Sequence, residues 1–159
     1  MRLVGCILLA LSGLLVSRWY TRYLERRLAE GEAFLGLIEH ISGEISRYLT
    51  PPGRLLNGYR SGLLEELGFL ERAGEAGFAD AFAAVSRRLT LPKEGTELLS
   101  RLFRDFGRSY RDGELARLSE AREGLAPIVA RLREELPRDI KLGRVLVAAA
   151  VLGGIILLI

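Results

Sequence analysis

An all-α fold is predicted by three features of the chain. Apolar residues recur every three or four positions through the middle, no segment alternates strictly, and each end carries a 15-residue apolar stretch without charge. The 159 residues suit one domain with appendages. Residues 3–17 and 145–159 hold no charge, so all 43 charged residues fall in the other 129 and make up a third of them. That separation explains how a chain 27% charged reaches a mean hydropathy of +0.19. A single cysteine excludes a disulfide scaffold. The supply of Leu, Phe and Tyr in the middle argues against disorder, and two candidate spans exclude a polytopic transporter. The net charge of +3 is spread over interleaved acids and bases, which is a solvated mixed surface rather than a nucleic-acid footprint.

The first apolar run is expected to act as a retained anchor. At about 1.5 Å per residue it reaches roughly 22 Å of a ~30 Å hydrocarbon layer, so its flanks must complete the crossing. Arg18, Trp19 and Tyr20 come directly after it, and aromatic rings and snorkelling arginines belong at the headgroup level. Arg2 resembles the charged start of a signal peptide, but no small-residue cleavage site closes the run. Arg18, Arg22, Arg26 and Arg27 also oppose translocation of the middle of the chain. The last run is apolar on every face and is preceded by Arg138, Lys141 and Arg144, which fits a membrane helix better than a core helix. The interface anchors are therefore Arg18, Trp19, Tyr20, Lys141 and Arg144. Both runs carry their basic residues toward the middle, so the positive-inside rule places that middle in the cytoplasm and both termini across the membrane. The expected organisation is an N-terminal transmembrane anchor over 1–20, a helical domain over 21–141 and a C-terminal transmembrane anchor over 142–159.

Between the anchors, Tyr23, Leu24, Leu28, Phe34, Leu35, Ile38, Ile41 and Ile45 give an amphipathic helix over 20–49, continuous with the first anchor. Thr50-Pro51-Pro52-Gly53 ends it, because a residue before proline avoids the α region. Short helices are expected over 53–60 and 63–72, with Gly74 and Gly77 framing a turn. Phe78, Phe82, Val85 and Leu89 mark the next helix. Pro92 opens another, at a position where its missing N–H costs nothing, with Thr96 or a neighbour as a cap. Leu98, Leu99, Leu102, Phe103 and Phe106 form its stripe, and Gly107 closes it. From Gly113 a final helix runs toward the second anchor, with kinks expected at Pro127 and Pro137. The bundle then has about six helices, the long first and last ones antiparallel. Thr50, Pro51, Gly77 and Gly107 are its structural turns.

Catalytic chemistry is not legible. His40 is the sole histidine, so no histidine-based metal cluster can form, and Cys6 lies in the first apolar run, away from it. No phosphate loop or dinucleotide fingerprint occurs. The carboxylate pairs Glu39 with Glu44 and Glu65 with Glu66 read as exposed helix faces, and His40 as an edge residue. No enzyme activity and no cofactor, metal or small-molecule substrate is expected. Glu39, Glu44, Arg104, Arg108 and Asp112 are candidates for a partner surface. A membrane-tethered module that binds anionic lipid or another protein is the alternative role.

Several short motifs occur in a recognisable order. These are Met1-Arg2-Leu3-Val4-Gly5-Cys6-Ile7-Leu8, Glu44-Ile45 before Thr50-Pro51, Gly77 with Ala81-Phe82, Phe106-Gly107 with Asp112, and the closing Leu152-Gly153-Gly154 with its aliphatic tail. Together with the double anchor they resemble the stage III sporulation protein AB family over essentially the whole chain. The chain departs from it at Pro52, where the family commonly carries Leu, and in its wealth of arginine. The resemblance implies a cytoplasmic domain similar to those of type II secretion and type IV pilus platform proteins. It further implies a place in the channel between mother cell and forespore, in the mother-cell membrane, beside other channel components and a secretion-type ATPase.

Overall fold

The computed structural model describes residues 2–48 and 54–158. Six helices and no strand occur among them: α1 (Arg2–Tyr48), α2 (Gly62–Glu66), α3 (Phe69–Ala76), α4 (Phe78–Ser86), α5 (Lys93–Asp105) and α6 (Arg111–Leu158). The all-α expectation holds. As expected, the first apolar run and the amphipathic segment behind it are one helix. At the other end α6 stays helical through Pro127 and Pro137.

Two short elements differ from expectation, both because of glycines in the left-handed region. Residues 53–60 do not form a helix over their described part. A tight turn is closed there by the Asn57 amide on the Arg54 carbonyl at 3.0 Å, and Gly58 at φ +80° breaks any continuation. The expected helix over 63–72 divides into α2 and α3 at Gly68, which has φ +71° and donates its amide to the Glu65 carbonyl at 2.9 Å. Gly74 is an ordinary α3 residue rather than part of a turn, whereas Gly77 at φ +90° and ψ 166° does separate α3 from α4. Thr96 does not cap α5. Its hydroxyl and amide both reach back to the Pro92 carbonyl, at 3.3 and 3.0 Å. Thr50 and Pro51 lie outside the described residues.

Packing divides the chain into two compact units. Arg27–Arg131 forms the bundle. Its centre holds all six phenylalanines of the chain in one connected set of ring contacts. Phe103 is the hub. Phe103 touches the rings of Phe34, Phe69, Phe78 and Phe82 at centroid distances of 5.4–6.1 Å. Offset and edge contacts of this kind add about 0.5–1.5 kcal/mol per pair beyond the burial of apolar area. Around the rings, α1 and α6 run antiparallel, since Gly31 lies against Val129, Glu39 pairs with Arg122 and Ile45 meets Arg111. Gly124 of α6 lets Leu98 of α5 approach its backbone directly.

The second unit joins the described residues before Arg27 to those from Leu132 on. Here too the two helices are antiparallel: Leu9 meets Gly154, Gly13 meets Val147 and Val151, and the Tyr20 ring lies on Gly143. A β-carbon at Gly13 would sit 2.5 Å from Val151 Cγ2, and one at Gly143 would sit 2.7 Å from the Tyr20 ring. Glycine at these places is what permits the close pairing. Among the described residues no helix is long and apolar enough to cross a membrane. The expectation of full flanking spans is therefore not supported. The physical reason is length: each uncharged run stops at 15 residues and charged residues adjoin it, Arg18 after the first and Arg144 before the second.

Candidate functional site

Two regions stand out, one in each unit. The first is the surface of the α1/α6 pair. Fourteen large apolar or aromatic side chains are exposed among the described residues, and thirteen of them belong to this unit; Tyr110 is the other. Ile7, Leu8, Leu11, Leu15, Leu146 and Ile156 are each more than half exposed. So many exposed apolar side chains on one helix pair mark an interaction or membrane site rather than a solvated face. At its polar edge Arg18 and Arg144 are exposed, as is Lys141, and Trp19 is 68% exposed while stacking on Tyr23 at 6.0 Å. Tyr20 instead turns inward onto Gly143. These residues flank the two apolar runs, and Tyr20 serves helix pairing.

The second region is the polar framework of the bundle. Glu30 is fully buried in α1. One of its carboxylate oxygens accepts from the Thr90 amide at 2.6 Å, the Thr90 hydroxyl at 3.0 Å and the Leu91 amide at 3.1 Å. It therefore satisfies the backbone just ahead of α5, where Pro92 offers no side-chain cap. Glu114, also buried, does the same at the other end of α5. Its carboxylate accepts from the Gly107 amide at 3.1 Å and the Ser109 amide at 2.9 Å, while Gly107 turns the chain at φ +83°. Arginines serve carbonyls at helix C-termini. Arg117 donates to the Asp105 carbonyl at 2.8 Å, at the end of α5. Arg111 donates to the Ile45 carbonyl at 3.2 Å and to that of Ser46, near the end of α1. Part of the arginine richness thus serves helix C-termini.

The candidate partner residues are dispersed. Glu39 pairs with Arg122 at 3.9 Å, and Arg108 with Asp105 at 3.7 Å, both largely exposed. Arg104 and Asp112 are exposed, in the last turn of α5 and the first of α6, and Glu44 is half-buried and engaged. Glu39 and the Arg104–Asp112 group do not form one cluster. His40 is half-buried: its Nε2 lies 3.1 Å from the Leu55 carbonyl, and its ring packs on Tyr59 at 4.7 Å. Burial pushes the Tyr59 phenol above its usual range. No group of His, Cys, Asp and Glu able to hold a metal ion occurs among the described residues.

Glu30 and Glu114 are the important side chains that sequence reasoning missed. Glu114 carries a faint signal, a helix-start acid two residues after Asp112 and seven after a turn glycine. Glu30 carries none, because its partners stand sixty residues away.

The architecture is that of a helical bundle whose first and last helices extend into an apolar pair. Residues 2–159 match the model of the stage III sporulation protein AB family, and the chain belongs to that family. Membership points to a role in sporulation. No curated protein and no solved structure matches the chain significantly.

Proposed function

We propose that this protein is a non-enzymatic platform or adaptor component of a secretion-like channel between mother cell and forespore. In this reading the paired ends of α1 and α6 seat it in the mother-cell membrane. The bundle faces the cytoplasm, where it meets other channel components and a secretion-type ATPase, and both termini point away from it. The observation that carries the reading is the concentration of exposed large apolar side chains, thirteen of the fourteen among the described residues, on one helix pair, in a chain that belongs to a sporulation family. In water that surface would be costly, at about 25 cal/mol for each Å² left uncovered. In a membrane it is at home, and the basic residues beside it would sit among headgroups. The likeness of the bundle to secretion-platform domains is part of the proposal.

Two measurements test it. Deleting the gene should abolish spore formation and leave vegetative growth intact, and normal spores would overturn the sporulation role. Crosslinking in sporulating cells, with a photoreactive residue at Arg104 or Glu39, should capture the secretion-type ATPase or another channel component. Capture of neither at any exposed bundle position would overturn the adaptor role.

A further inference from the structure

A groove of about 790 Å³ runs between the ends of α1 and α6, within the ~300–1,000 Å³ typical of small-molecule sites. Its character changes along its length. Ala10, Leu14, Val147 and Val151 line one part, and Arg18, Arg22 and Arg144 line the other. Against these three cations the groove offers one acid, Glu25, and none of the three arginines forms an ion pair among the described residues. Arg18 and Arg22 are four residues apart on one helix, a like-charge spacing that destabilises a helix by a few tenths of a kcal/mol. Arg144 adds a third charge from the facing helix. The Thr21 hydroxyl is already engaged, donating to the Ser17 carbonyl at 2.9 Å.

We propose that this groove is a binding site for one anionic phospholipid, with an acyl chain along the apolar part and the phosphate among Arg18, Arg22 and Arg144. Each half of the groove excludes a simpler occupant. Free phosphate would leave the apolar length bare, and a zwitterionic lipid would bring its own cation to the arginines. An amphiphile with a net negative head satisfies both, and arginine suits phosphate by its planar, multiply donating geometry. The lipid site rests on the proposed membrane placement of the α1/α6 pair.

The test uses the full chain, reconstituted into nanodiscs of phosphatidylcholine with a minor share of phosphatidylglycerol, and reads retained lipid by native mass spectrometry. One phosphatidylglycerol should stay with each chain, preferred over phosphatidylcholine by roughly tenfold. R18Q/R144Q should abolish the preference. R138Q/K141Q, which removes the same charge outside the groove, should keep it. A148W should displace the lipid without altering charge, since Ala148 lines the groove. Flotation with pure phosphatidylcholine vesicles is measured in parallel for every variant. A chain that floats but shows no preference, or loses it equally in both double variants, overturns the lipid site alone. A chain that does not float overturns the membrane placement and the site with it.

Discussion

Glu30→Ala should destabilise the bundle by about 3 kcal/mol. The carboxylate is fully buried and one oxygen serves three donors on Thr90 and Leu91. Alanine leaves those donors behind. The Leu91 amide is buried, and a buried donor stripped of its acceptor costs about 1–3 kcal/mol. Thr90 is half-buried, so water recovers part of its loss and its amide contributes nearer the lower end of that range. Removing a buried charge returns some desolvation energy, which holds the total to roughly 2–4 kcal/mol against a typical domain stability of ~5–15 kcal/mol. In urea, monitored by far-UV circular dichroism on the full chain in detergent, the midpoint should fall by roughly 1–3 M. Glu30→Gln keeps an acceptor and should fall in between, and Thr90→Val, which loses one hydroxyl, should cost under about 1.5 kcal/mol. Hydrogen exchange supplies the local readout, because the Leu91 amide should lose protection before the ring cluster does. A midpoint unmoved in Glu30→Ala, or an unchanged Leu91 exchange rate, would refute the reasoning.

Three further predictions concern the bundle. Phe103→Ala should cost about 3–5 kcal/mol and exceed Phe106→Ala, because Phe103 is buried against four rings whereas Phe106 is half-buried and edges onto Phe78 at 4.8 Å; equal urea midpoints would contradict the hub role. Gly77→Ala should cost about 1–3 kcal/mol, since its φ of +90° with ψ 166° is nearly closed to other residues. Gly74→Ala in α3 should be neutral or stabilise by up to ~1 kcal/mol, and the reverse order would undo the assignment of the turn. Burial raises the Tyr59 pKa above 10.0, so folding favours the neutral phenol. That contribution is complete below pH 10.0 and lost as pH climbs through the folded value. Unfolding titrations across this window should show the wild type losing stability faster than Tyr59→Phe, and parallel curves would contradict the assignment.

Helix content was legible because it depends on local periodicity. The stripe of Leu98, Leu102 and Phe103 identifies α5 whatever surrounds it, and Pro92 and Gly107 mark its ends through backbone chemistry alone. The elements misjudged were those decided by a backbone sign that a residue name does not reveal. Gly58, Gly68, Gly74 and Gly77 are identical letters, yet three adopt left-handed conformations and one continues a helix. The charged residues divide in the same way. Glu39 and Arg108 lie on exposed faces, as their neighbours imply, but Arg111 and Arg117 were indistinguishable from other surface arginines until helix ends came within their reach.

The sequence by itself determined the class of the protein. Its uncharged ends, its three-to-four-residue periodicity and its ordered motifs are one-dimensional facts, and they were enough for the all-α fold and the family. The tertiary structure decided what one-dimensional order cannot carry. It drew six phenylalanines scattered from 34 to 106 into one cluster, and it set Glu30 beneath a loop sixty residues away. It also paired the two apolar ends through Gly13 and Gly143 so that three arginines line one groove. Contacts of that range depend on how whole helices pack, and no local pattern encodes them.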